Sequence, residues 1–303
     1  MALLALSTAS GCVDRAIHFR ADGSGAGGQD DGALDDGASS DDGDSAEDVG
    51  GNHPTVPPCV PGPDTDCDGD GVPDGDDPFP DGDDPPPASD QLLYANTPGE
   101  LYGVHPDELI PQLVAPFSFA DGGGENITDI AIDRYGYLYA VGTSTLYACD
   151  PQTVVCTELD AVPGVNAAGF ARTDAGDVLL LAGFDGTVWR VDFDGQGANA
   201  VAIGNYGVGG SAGDIAGNAD VTVASINLDT GWEEIRRVRP STGAADVETY
   251  PFAPVSQAWG LAFYGERLFA FTAGGDLVVE EAGVPLYFET GLEFWGAASV
   301  PDW

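Results

Sequence analysis

The chain has 303 residues and a formal net charge of −42, from 51 Asp and Glu against 9 basic residues. All nine are Arg, and Lys is absent. Such a polyanion lacks the cationic footprint that nucleic acids and anionic membrane surfaces require, and without Lys it has neither Schiff-base chemistry nor a P-loop lysine.

The chain opens MALLALSTASGC, a short apolar run whose small residues end at Cys12. The box Ala9-Ser10-Gly11-Cys12 resembles the end of a bacterial lipoprotein signal. The resemblance implies that residues 1–12 are a signal remnant and that Cys12 carries lipid. The protein would then be exported and held at the outer membrane, cell surface or periplasm by that anchor alone. No run of about 18 apolar residues occurs that could span a bilayer as a helix. Residues 21–90 carry 21 Asp and Glu and no Lys or Arg. Asp, Gly, Ser and Pro bury too little apolar surface to offset chain entropy, so residues 13–63 read as a disordered tether, extended by its own repulsion.

Within the acid lies DTDCDGDGVPDGDDPFP, residues 64–80. Counted from Asp66, carboxylates fall at positions 1, 3, 5, 9 and 12 and a glycine, Gly71, at 6. That is the spacing with which a loop wraps a hard cation in oxygen, position 7 offering a backbone carbonyl. The equally acidic tract at 30–48 lacks DxDxDG altogether, so density alone does not produce the pattern. Pro73 and Pro78 forbid the flanking helices of an EF-hand. The stretch resembles a thrombospondin type 3 repeat, DxDxDGxxDxxD followed by Pro. The resemblance implies a Ca2+ loop over 64–84 with Asp66, Asp68, Asp70, Asp74 and Asp77 as ligands and Val72 giving its carbonyl. Residues 85–91 read as a linker.

With Cys12 lipidated, four Cys remain and three pairings are open. Local pairing is expected, Cys59–Cys67 and Cys149–Cys156, since each closes a small loop and export permits disulfides. The spacings do not suit zinc. Cys149 and Cys156 flank the Asp150-Pro151 turn between two strand-like runs, which predicts a cross-strand bond.

Residues 92–303 are short β-branched and aromatic runs broken by Gly, Asp, Asn and Pro, the pattern of an all-β sandwich, barrel or propeller. Aligning TDIAIDRYGYLYAV, AGFARTDAGDVLLLA, GDIAGNADVTVAS, WGLAFYGERLFAFT and the final FWGAASVP places anchors at Asp129, Gly169, Asp214, Gly260 and Gly296, spaced 40, 45, 46 and 36 residues apart. That is a propeller-blade period. The first run, QLLYANTPGELYGVHP, lacks an inner strand and FWGAASVPDW supplies one. A five-bladed β-propeller closed by the C-terminal strand is therefore expected, with a β-sandwich as the alternative. The blades resemble bacterial secreted β-propellers reading DIAxDxxGxLYAV, a likeness that implies fold and not function.

Little else suggests chemistry. His105 precedes a Pro in a turn-like YGVHPDE, and the glycines of GNYGVGGSAG follow no strand-to-helix pattern. Asp129 and Asp214 open inner strands, and Trp259 and Trp295 precede anchors. Inner strands line a propeller's axis, so the two aspartates are the candidate catalytic pair if the protein is an enzyme. The leading expectation is a monomeric, non-enzymatic lipoprotein whose propeller binds a protein or glycan. The alternative is a secreted hydrolase of the lactonase or glycosidase type acting through Asp129 and Asp214.

Overall fold

Alternation along the strands accounts for the architecture. In β1 (Leu93–Asn96), Leu93 and Ala95 enter one apolar cluster and Tyr94 enters another. The same split recurs in β6 (Leu138–Val141), β10 (Gly176–Ala182) and β18 (Arg267–Thr272), where Phe269 and Phe271 face one cluster and Leu268 and Ala270 the next. Successive side chains leave a strand on opposite faces, so a strand apolar on both must sit in a sheet packed on both sides. Five clusters result, each wedged between neighbouring sheets.

The computed structural model describes residues 62, 65–69, 71–78, 80, 84–193, 197–252, 255–281 and 284–303. Cys12, Cys59, Asp70 and all of the expected tether but residue 62 lie outside these. Five sheets form a ring, a five-bladed β-propeller and not a sandwich. Blade 1 joins β1, β2 (Glu100–Val104) and β3 (Pro111–Pro116) to the last strand, β21 (Gly296–Ser299). The closure is antiparallel, with Leu93 opposite Ser299 and Asn96 opposite Gly296. Blade 2 is β5 (Asp129–Ile132), β6, β7 (Thr145–Cys149) and β8 (Val155–Ala161), its outer edge covered by the parallel β4 (Ser118–Phe119). Blade 3 runs β9 (Ala167–Thr173), β10, β11 (Thr187–Phe193) and β12 (Ala198–Asn205). Blade 4 is β13 (Gly209–Gly217), β14 (Thr222–Leu228), β15 (Glu233–Val238) and β16 (Ala245–Thr249). Blade 5 is β17 (Ala258–Tyr264), β18, β19 (Asp276–Glu281) and β20 (Val284–Glu289). All five repeat anchors fall in the inner strands β5, β9, β13, β17 and β21.

Two of those anchors are glycine for a steric reason. A Cβ at Gly169 would collide with the Ile215 carbonyl of blade 4, and one at Gly260 would lie 2.8 Å from the Gly296 carbonyl carbon of blade 1. The inner strands therefore approach backbone to backbone. Cys149 and Cys156 are direct cross-strand partners and form a disulfide.

The segment before β1 also packs on the ring, and Pro57–Trp303 form one compact unit. Val72 is buried in the cluster between blades 2 and 3, beside Tyr137 and Tyr139. The Ala88 amide donates to the Gly136 carbonyl at 2.8 Å, and Arg134 pairs with Asp76 at 3.4 Å and with Asp177 of blade 3 at 3.5 Å. Strands begin near residue 92, but tertiary contacts begin earlier.

Candidate functional site

The structure brings Asp129 and Asp214 together at the ring axis, and both are fully buried. Asp129, from blade 2, accepts the Ala168 amide of blade 3 at 2.7 Å and that of Ile130 at 2.8 Å. Asp214, from blade 4, accepts the Leu261 amide of blade 5 and the Ala297 amide of blade 1 at 3.1 Å. Two carboxyls thus tie the inner strands of all five blades. Burial raises both well above the ordinary carboxylate range; the facing Asp214 charge pushes Asp129 further, and the amide donors do not reverse the shift. Asp214 Oδ1 has no amide donor, so a proton shared with Asp129 is the partner its position allows.

The pair divides the axis. Below it the inner strands leave a cavity of about 20 Å³, bounded by residues such as Ile132, Phe170 and Ile215. That is scarcely room for one water. Above it the ring opens into a pocket of about 240 Å³. Each blade supplies a residue at the start of its inner strand: Trp295 from blade 1, Thr128 from blade 2, Asn166 from blade 3, Ser211 from blade 4 and Trp259 from blade 5. The two indoles meet edge to face, 6.3 Å between centroids and 83° between planes. Phe184, 67 % exposed, stands at the rim. No charged side chain lines the pocket.

The acidic loop is a separate centre. Carboxylate oxygens of Asp68, Asp77 and Asp84 lie within 4.8 Å of one another. Tyr137 of blade 2 donates its hydroxyl to Asp84 at 2.6 Å. The other expected ligands are engaged within the loop. Asp66 accepts the Gly69 and Gly71 amides at 2.7 and 3.2 Å, and Gly71 turns at φ +99°. Asp74 accepts from the Gly62 amide at 3.1 Å, the Cys67 amide at 2.8 Å and the Thr65 hydroxyl. Val72 sends its side chain into the core. Cys67 is disulfide-bonded, while Cys59, the partner expected for it, lies outside the described residues.

No family model matches the sequence. No curated protein matches it either. Solved structures do. Hydrazine synthase from Kuenenia stuttgartiensis matches with a TM-score of 0.42 at 12 % identity, over 65 % of this chain and 77 % of that one. TolB from Acinetobacter baumannii gives 0.41 at 14 %, over 65 % of this chain and 52 % of its own. A Bacteroides caccae protein of unknown function gives 0.40 at 11 %, over 69 % and 98 %. At such identities the likeness is one of fold.

His105 sits in the turn after β2, where its ring nitrogen accepts the Asp107 amide at 3.3 Å. The glycine run 204–213 connects β12 to β13 through a turn and binds no helix. Sequence reasoning found Asp129, Asp214, Trp259 and Trp295 but missed Asn166 and Ser211. These lie three residues before their anchors, and in blade 4 the ladder is irregular between Ser211 and Ile215. Asp84 lay inside the expected loop, 64–84, but was not among its expected ligands.

Proposed function

We propose that the protein is an exported, lipid-anchored and non-enzymatic β-propeller that captures a protein or glycan at the mouth of its ring. One observation carries this reading: the axis is shut by a buried aspartate pair held by amides of the neighbouring blades, while the mouth above it is open, uncharged and bears two tryptophans. Open aromatic concavities with a few polar groups are what ligands fill. A hydrolase working through Asp129 and Asp214 would need substrate to reach two carboxyls that have no solvent exposure. Immobilised full-length protein should retain a partner from medium or envelope extract that Trp259→Ala and Trp295→Ala variants fail to retain. Equal retention by those variants would refute the mouth as the binding site.

The same proposal gives Cys12 the anchor, so Cys12→Ser should move the protein from the membrane to the soluble fraction. It also gives the acidic loop a Ca2+ ion. The convergent donors fit a hard cation, being all carboxylate oxygens, and Asp68, Asp77 and Asp84 would hold it. An ion there would neutralise clustered charge and fasten the loop to blade 2 through Tyr137. Calorimetry on the full chain should show Ca2+ binding that Asp77→Asn removes; unchanged heat in that variant would refute the site.

A further inference from the structure

The mouth pocket has a chemical signature beyond its aromatic walls. Asn166 is 6 % exposed and Ser211 1 % exposed, so both are more than nine-tenths buried. The Asn166 side-chain amide donates to the Ser211 carbonyl at 3.4 Å, which leaves Asn166 Oδ1 without a donor, and Ser211 Oγ has no protein partner. Both residues line the pocket together with Trp259 and Trp295, and the Asn166–Ser211 hydrogen bond holds them side by side. Buried polar groups are costly to leave without partners, so the site favours an occupant that brings hydrogen-bonding groups to Asn166 and Ser211 while presenting an apolar flank to Trp259 and Trp295.

Charge narrows the class. In a chain of net charge −42 the lining carries no charged side chain. A cationic ligand finds no carboxylate there, and an anionic one finds no Arg. The volume, about 240 Å³, lies just below the range of about 300–1,000 Å³ typical of drug-sized sites. It suits one ring, not an extended chain. A purely apolar side chain from a protein partner would cover the tryptophans but strand Asn166 Oδ1 and Ser211 Oγ. A sugar ring has C–H groups on one face and hydroxyls around its edge, and those hydroxyls can donate to Asn166 Oδ1 and exchange a hydrogen bond with Ser211 Oγ.

We infer that the mouth takes one neutral pyranose ring, its C–H face on the indoles and its hydroxyls on Asn166 and Ser211. This rests on the mouth-binding reading and deepens it.

The test is titration of the full-length protein with a panel of neutral methyl pyranosides and methyl N-acetylhexosaminides, read by tryptophan fluorescence and by saturation-transfer NMR, beside glucuronic and sialic acids. At least one neutral glycoside should bind. Ser211→Ala, which removes a hydroxyl that has no partner in the fold, should weaken it about tenfold or more, and Trp259→Ala should abolish it with thermal unfolding near wild type. The uronic and sialic acids should bind less well than the neutral rings. If no neutral glycoside binds, or if binding is indifferent to Ser211 and Trp259, the sugar inference is wrong. The broader reading is scored separately: a displayed peptide library retained by the wild type and lost in Trp259→Ala would keep the mouth as a protein-binding site while overturning the sugar. Loss of neither sugars nor peptides in Trp259→Ala would overturn both.

Discussion

Two groups of aspartates sit within one chain and do opposite things. Asp68, Asp77 and Asp84 converge at the edge of the ring with their oxygens facing one another. Asp129 and Asp214 converge at its axis, where backbone amides from four blades point at them. In the first group Tyr137 donates to Asp84, and the proposed Ca2+ ion would balance the clustered charge. In the second, amides and a shared proton do, and the carboxyls become a mechanical tie. What faces a carboxylate, and how much water reaches it, decides whether it is a ligand or a rivet.

The largest effect should come from cutting the tie. Asp214→Ala orphans the Leu261 and Ala297 amides, each at about 1–3 kcal/mol. Denaturant unfolding should show a loss of several kcal/mol, and Asp214→Asn, which keeps one acceptor, a smaller one. A variant within about 0.5 kcal/mol of wild type would mean the axis does not hold the blades.

Next in size is the Cys149–Cys156 bond, which joins the third and fourth strands of blade 2. Replacing both Cys by Ser should cost about 2–3 kcal/mol, the loop-closure value for so short a ring. Because the disulfide lies within one blade, this loss should add to that of Asp214→Ala; strong non-additivity in a double-mutant comparison would place the axis and blade 2 in one cooperative network.

Acidity offers a third probe. Asp133, in the turn of blade 2 that accepts the Tyr135 and Tyr137 amides, is pushed up to about 7, chiefly by burial. The folded protein thus holds this proton more tightly than the unfolded chain, whose Asp titrates near ~3.9. Its contribution to stability is full below about pH 4 and is lost as pH rises through 7. The axial pair has the same sign, so stability measured without Ca2+ should decline from mildly acidic to neutral pH. Asp133→Asn should flatten that slope, and an unchanged slope would exclude Asp133 as its source.

The smallest effects belong to the loop. Ca2+ at tenfold its dissociation constant should raise stability by about 1.4 kcal/mol, seen as a rise in Tm that Asp68→Asn and Asp77→Asn abolish. Arg134→Ala, removing an exposed pair with Asp76 and a pair with the largely buried Asp177, should cost about 1 kcal/mol in the absence of the ion. A loss of Ca2+ response in Arg134→Ala would show that docking of the loop, and not its carboxylates alone, makes the site.

Much of the fold was legible because strand alternation and repeat period are local properties. The 36–46-residue spacing of Asp129, Gly169, Asp214, Gly260 and Gly296 marked five inner strands, and the split ends of blade 1 marked the closure. The pairing of Cys149 with Cys156 followed from a turn between two strands. The candidate sites were legible only in part. Trp259 and Trp295 stood out by position, whereas Asn166 and Ser211 are ordinary polar residues until the ring buries them. The loop spacing named Asp68 and Asp77 but could not bring in Asp84, which meets them because the segment folds back on Tyr137.

Composition, period and alternation, which need no knowledge of contacts, are enough to make this a strongly acidic chain whose last two hundred or so residues form a ring of repeated β-blades. What the axial aspartates do follows from the closed ring alone. Their spacing of 85 residues is compatible with a catalytic pair or a structural knot. The choice depends on amides from blades 1, 3 and 5 that the closed ring brings to within hydrogen-bonding distance, and on the water that closure excludes.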